Sequence, residues 1–173
     1  MKRTLAVIAA VVALVAPATA VALTGSAATA AAKVPQCTNA DLTASYKVTD
    51  AGAGHTYGKL RLTNTGDRTC FTRGYGGLSY VGHGDGTQIG AAADRTPSKV
   101  RRIVLHPGER AVSRVEEANA HNYPKRRCHR RHVDGFRVYV PDATKSQFVR
   151  HETTGCARVK VHLLAHKAYR KVG

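Results

Sequence analysis

The chain has no tryptophan and little acid: 11 Asp and Glu stand against 27 Lys and Arg. So few carboxylates argue against the oxygen cages that hold calcium. They also leave little for paired-carboxylate catalysis. Glu116 and Glu117 are neighbours, so on a strand they point to opposite faces. A carbohydrate site would lack tryptophan stacking, with only Tyr75, Tyr80 and Tyr123 as weak substitutes. The four cysteines are widely spaced, which argues against a zinc site. There is no G-x-S-x-G elbow. The glycine-rich stretch Gly82–Gly86 lacks the Lys-Ser or Lys-Thr and the following helix of a phosphate loop. Helical periodicity is also scarce.

One apolar run does occur. Leu5–Val15 follows Lys2-Arg3 and precedes Pro17 and the small-residue site Ala18-Thr19-Ala20. It is too short to span a bilayer and has the layout of a secretory signal. Residues 1–32 are predicted to be a signal peptide and flexible leader end, cut somewhere within residues 20–32. Residues 33–164 then form the secreted domain and 165–173 a basic tail. No transmembrane anchor is expected. The product is expected to be extracellular or associated with the cell wall, and monomeric. Its size suits one domain with a real core. Without Lys2 and Arg3 it keeps 25 basic residues against 11 acidic ones, a net charge of about +14.

An oxidising compartment lets cysteines pair. Four cysteines allow three pairings, and Cys37–Cys70 with Cys128–Cys156 is the expected one. It closes two loops of roughly thirty residues, each contributing about 3–4 kcal/mol in the chain-entropy account. Short alternating runs separated by Gly, Pro, Asn and Asp predict about eight to ten strands. Examples are Leu42–Val48, Tyr57–Thr63, Leu78–Val81, Val100–Leu105, Ala111–Val115, Phe136–Val140 and a last strand over Val159–Leu163. A long polar loop is expected from about Glu117 to His132. The fold class is therefore all-β, an antiparallel sandwich.

The ordered pieces Cys37, Gly54-His55, Leu60-Arg61-Leu62-Thr63-Asn64, Cys70, Gly74-Tyr75-Gly76-Gly77, Leu105 with Pro107-Gly108, Cys128, Phe136–Val140 and Cys156 carry a resemblance. The chain resembles a family of actinobacterial exported proteins catalogued as domain of unknown function forty-two thirty-two. The resemblance covers Cys37 to about Leu163 and implies an immunoglobulin-like sandwich at the cell envelope, with no assigned activity. Gly76 departs from the proline usual in that family. The tryptophan usual in immunoglobulin domains is absent.

The most distinctive polar feature is Lys125-Arg126-Arg127-Cys128-His129-Arg130-Arg131-His132. A disulfide at Cys128 would fix these cations in place, and fixed cations bind polyanions with little ordering cost. Lys125, Arg126, Arg127, Arg130 and Arg131 are the candidate polyanion-binding residues. Arg101, Arg102, Lys167, Arg170 and Lys171 add charge elsewhere. His129 and His132 have a ligand-like spacing, but the surrounding cations would repel a metal, so no metal and no cofactor are expected. No catalytic residue stands out. Aromatics do not interleave with the basic run, so specific nucleic-acid readout is not expected. The expected function is a non-enzymatic module that binds an anionic cell-wall polymer or an extracellular protein. An inhibitor of an extracellular enzyme, using the Glu117–His132 loop, is the alternative. A hydrolase ranks below both.

Overall fold

The computed structural model describes residues 33–172, so the expected leader lies outside the described residues. Twelve strands occur among them: β1 (Leu42–Gly52), β2 (His55–Asn64), β3 (Cys70–Arg73), β4 (Gly77–Gly82), β5 (Thr87–Ile89) and β6 (Asp94–Arg95) in the first half, then β7 (Arg102–Leu105), β8 (Arg110–Ala118), β9 (Arg130–Tyr139), β10 (Ser146–Cys156), β11 (Leu164–His166) and β12 (Arg170–Val172). Helix is limited to a 3-10 turn at Ala120–Asn122 and the single turn α1 (Lys125–Cys128). A six-stranded sheet has the order β1-β2-β8-β11-β6, with β12 also on β8. A four-stranded sheet has the order β10-β9-β4-β5, and β3 pairs with β7.

Period-two alternation builds these elements. In β2, Leu60 and Leu62 point inward while Lys59 and Arg61 face out. In β8, Ala111, Ser113, Val115 and Glu117 are buried. Phe136 and Val138 of β9 meet Leu78 and Tyr80 of β4, and the core joins them to Leu42, Leu60, Leu62 and Val115 of the larger sheet. Each large apolar side chain so buried contributes about 1.5–3 kcal/mol.

Both expected disulfides are formed, Cys37–Cys70 and Cys128–Cys156. The first ties the chain before β1 to the start of β3, where the Cys37 amide also donates to the Phe71 carbonyl (2.7 Å). The second ties α1 to the end of β10.

Several local expectations differ from the structure. The pairing among the described residues is antiparallel except for β6 with β11 and the isolated bridge of Gln36 with Phe71, which run parallel. Val159–Leu163 is turn rather than strand. The Val161 amide bonds back to the Arg158 carbonyl (3.0 Å), which folds the chain just after Cys156. The Glu117–His132 loop is shorter than expected, because β8 continues to Ala118 and β9 begins at Arg130. The basic tail is sheet: β11 and β12 hydrogen-bond to β8, and His166, Ala168 and Tyr169 are buried. The exposed Lys167, Arg170 and Lys171 masked this, since charge on one side of an edge segment does not show what the other side covers.

Candidate functional site: a disulfide-anchored basic turn and a buried carboxylate

Pro124 opens α1, and Lys125, Arg126 and Arg127 fill its exposed side. His129 closes the turn in the left-handed region (φ 50°), its amide bonded to the Lys125 carbonyl (2.8 Å). Cys128 points inward to its disulfide with Cys156. The Arg158 amide meets the Cys128 carbonyl (3.3 Å), which brings the exposed Arg158 beside the same turn. Among the described residues, none of Lys125, Arg126, Arg127, Arg131 and Arg158 forms an ion pair.

Arg130 is the exception in the predicted set. Its guanidinium donates to the carbonyls of Ala120 (3.3 Å), His121 (3.4 Å) and Tyr123 (3.0 Å). It clamps the 3-10 turn and is only partly exposed. The sequence run contains its charge, but the turn geometry commits its donors. His132, the outer member of the spaced histidine pair, meets Asp134 at 3.3 Å. Among the described residues, no group of three or more His, Cys, Asp or Glu could hold a metal ion.

A second constellation was not anticipated as a unit. Glu117 is 4% exposed and sits between the two larger sheets. Tyr46 of β1 donates to one carboxylate oxygen. Tyr80 of β4 donates to the other (2.6 Å), and His151 Nε2 of β10 lies 2.9 Å from that same oxygen. Phe136 stacks on His151 (4.8 Å between centroids) and on Tyr80 (5.4 Å), while Tyr46 meets it edge-on (4.9 Å). Tyr46 reaches Glu117 by crossing β2 over Gly58, where any Cβ would collide with the phenol ring. His151 reaches it because the β9–β10 register shifts between Arg150 and Thr153. Burial, then the charge and hydrogen bond of Glu117, push both phenol pKa values far above their usual range. The alternation of Glu116 and Glu117 was legible; the bulge and the glycine gap that gather their partners were not. Tyr80, a nominal sugar stacker, is buried here. His55 Nδ1 lies 3.0 Å from a carboxylate oxygen of Glu116.

Ser113 and His166 also meet, with Oγ 3.4 Å from Nδ1, and both are buried. The Ser113 hydroxyl donates to the Lys167 carbonyl (2.5 Å). Burial, with repulsion from Arg95, lowers the His166 pKa to about 4. The folded state therefore favours neutral His166. Its contribution to stability is complete above the ordinary value of 6.5 and is lost as pH falls toward 4. Urea midpoints should fall across that window by an amount equivalent to roughly 3 kcal/mol, and His166→Gln should flatten this part of the profile. Asp41 is held well below the usual carboxylate range by the Arg68 guanidinium (2.7 Å), so its contribution is lost only in stronger acid.

Residues 37–166 match the family model described as domain of unknown function (DUF4232). The chain belongs to this family. No curated protein and no solved structure matches it. In this DUF4232 domain, the matched span begins at the first disulfide cysteine and ends in β11. It therefore contains both the basic turn and the Glu117 cluster, and stops short of β12. No helix among the described residues is long and apolar enough to cross a membrane.

Proposed function

We propose that this is a secreted, non-enzymatic module that binds an anionic envelope polymer or another anionic extracellular partner, with the basic turn as a contact. One observation carries the reading: Lys125, Arg126, Arg127 and Arg131 are exposed, lie outside every ion pair among the described residues, and stand on backbone locked by Cys128–Cys156. Cations held this way release counterions on binding and lose little conformational freedom. The export-type leader and the disulfides support an extracellular setting. The Glu117 cluster supports a structural role for the one buried carboxylate that has both tyrosine and histidine partners, since its oxygens are taken up by those partners.

The test is retention on immobilised heparin or purified wall polymer. Replacing Lys125, Arg126, Arg127 and Arg131 by Ser should weaken binding by roughly 10-fold at near-physiological salt and reduce the salt slope. The unaltered protein passing straight through both columns at low salt would count against the reading.

A further inference from the structure

Strand β12 and the segment before it form one wall of a groove of about 620 Å³. The opposite wall is the segment 98–104. Arg114, Lys167 and Arg170 stand on one side; Lys99, Arg101 and Arg102 stand on the other. All six are exposed and none is in an ion pair among the described residues. The lining includes apolar atoms of Ile103, Val112 and Ala168 and contains no carboxylate.

A second groove of about 630 Å³ adjoins the first, sharing Val112 and Lys171. It adds Lys59, Arg61 and Arg110. Its one carboxylate, Glu109, is already committed: it accepts from Lys171 Nζ (2.7 Å) and from the His106 amide (2.8 Å). The β8 span from Arg110 to Arg114 alone covers roughly 13 Å, so the joined grooves form a track and not a point site.

The walls are held in place. The Ala168 amide donates to Ser98 Oγ (2.8 Å), the Lys167 amide to the Arg114 carbonyl (3.0 Å), and the Tyr169 amide to the Gly74 carbonyl (2.8 Å). Tyr75 bonds both the Thr96 carbonyl (2.7 Å) and Ser98 Oγ (2.9 Å). The Arg102 guanidinium lies 4.0 Å above the Phe71 ring. Little ordering entropy remains to be lost when an anion binds.

We infer that this continuous groove, from the 98–104 segment across β12 to the outer face of β2, is the seat of a linear polyanion with a saturated backbone. The anionic group is phosphate or carboxylate, repeated along a polyol or sugar chain. Successive arginines suit either group, because the planar guanidinium pairs bidentately with both. The apolar patches accept the backbone between charges. Among the lining residues the only aromatic is Tyr169, which is buried, so bases have no exposed ring on which to stack. The inference rests on the polyanion-binding reading above and assigns it a second surface and a ligand class.

The experiment measures binding of poly(glycerol phosphate), a polyuronate and a single-stranded oligonucleotide of matched charge. Four proteins are compared: the unaltered chain, the turn variant described above, Arg114→Ser with Lys167→Ser and Arg170→Ser, and Lys99→Ser with Arg101→Ser. The last pair lies outside any strand, so it tests the groove even if the triple variant fails to fold. Expected results are losses for both groove variants at near-physiological salt that are at least as large as the roughly 10-fold loss of the turn variant. Whichever of the phosphate and carboxylate polymers binds more tightly identifies the anionic group. Normal binding by the Lys99/Arg101 variant overturns the groove while leaving polyanion binding intact. Oligonucleotide binding as tight as that of the better polymer overturns the ligand class. Failure of the unaltered chain to bind either polymer removes both readings together.

Discussion

Glu117→Ala should destabilise the domain by roughly 3–5 kcal/mol, a large fraction of the whole stability of a domain this size. The carboxylate accepts from Tyr46 and Tyr80 and lies against His151, all inside or at the edge of the core. Truncation leaves the buried Tyr80 hydroxyl and the partly buried Tyr46 hydroxyl without an acceptor and opens a void beside Phe136. Glu117→Gln keeps the shape but turns one acceptor oxygen into an NH2 donor, so a tyrosine hydroxyl must turn to accept from it and its own proton loses its acceptor; a cost of about 1–3 kcal/mol is expected. The diagnostic variant is Glu117→Leu combined with Tyr46→Phe and Tyr80→Phe. Removing the carboxylate together with both tyrosine hydroxyls leaves only the partly exposed His151 without its partner and should recover much of the loss, because the cost lies in unpaired groups more than in lost attraction. Urea denaturation of the four proteins checks this. A Glu117→Ala cost below about 1 kcal/mol would show that water enters freely and that the cluster does not join the sheets.

The second large effect appears in alkali. Tyr80 and Tyr169 are buried, and burial pushes both phenols well above the ordinary value of 10.0; Tyr46 shifts the same way from a less buried position. A raised folded-state pKa means that the native state holds its proton more tightly. The stability involved is fully present below the ordinary value and is lost as pH rises toward the folded-state value. Each such phenol steepens the fall by about 1.4 kcal/mol per pH unit. Tyr80 and Tyr169 together give roughly 3 kcal/mol per unit above pH 10, with a smaller addition from the partly buried Tyr46. Unfolding should therefore complete within a few pH units, and ultraviolet tyrosinate absorbance should show a cooperative step coincident with loss of circular dichroism. Smooth ionisation of all seven tyrosines before any unfolding would refute it. Tyr169→Phe should make the slope shallower. It should also stabilise the protein at neutral pH or leave it unchanged, because the Tyr169 hydroxyl is buried without a hydrogen-bond partner.

The strands with clean alternation were the readable ones. Leu60 and Leu62 in β2, and Phe136 and Val138 in β9, carry their face assignment in their own side chains. The turn at 83–86 is encoded locally, because positive φ at Gly84 and Gly86 is a property of those residues themselves. The strands at the chain's end were not. β11 and β12 have three residues each, and the β8 residues they pair with lie about fifty and about sixty residues earlier. Val159–Leu163 showed the opposite error: its alternation falls on a turn closed by the Val161 amide on the Arg158 carbonyl, and only its last residue, Leu163, reaches β8, where its carbonyl accepts from the Ala118 amide (2.7 Å). Within the basic run, composition could not separate Arg130, whose donors close a turn, from Arg131, whose charge faces solvent.

Composition and local pattern alone determined an all-β, cysteine-paired, strongly basic domain, because alternation, turn chemistry and net charge are summed over near neighbours. Only the tertiary structure decided which cations share a surface and that Tyr46, Tyr80 and His151 converge on Glu117. Those outcomes depend on strand order, a bulge at Arg150–Thr153 and the missing side chain at Gly58, which set distances between residues dozens of positions apart.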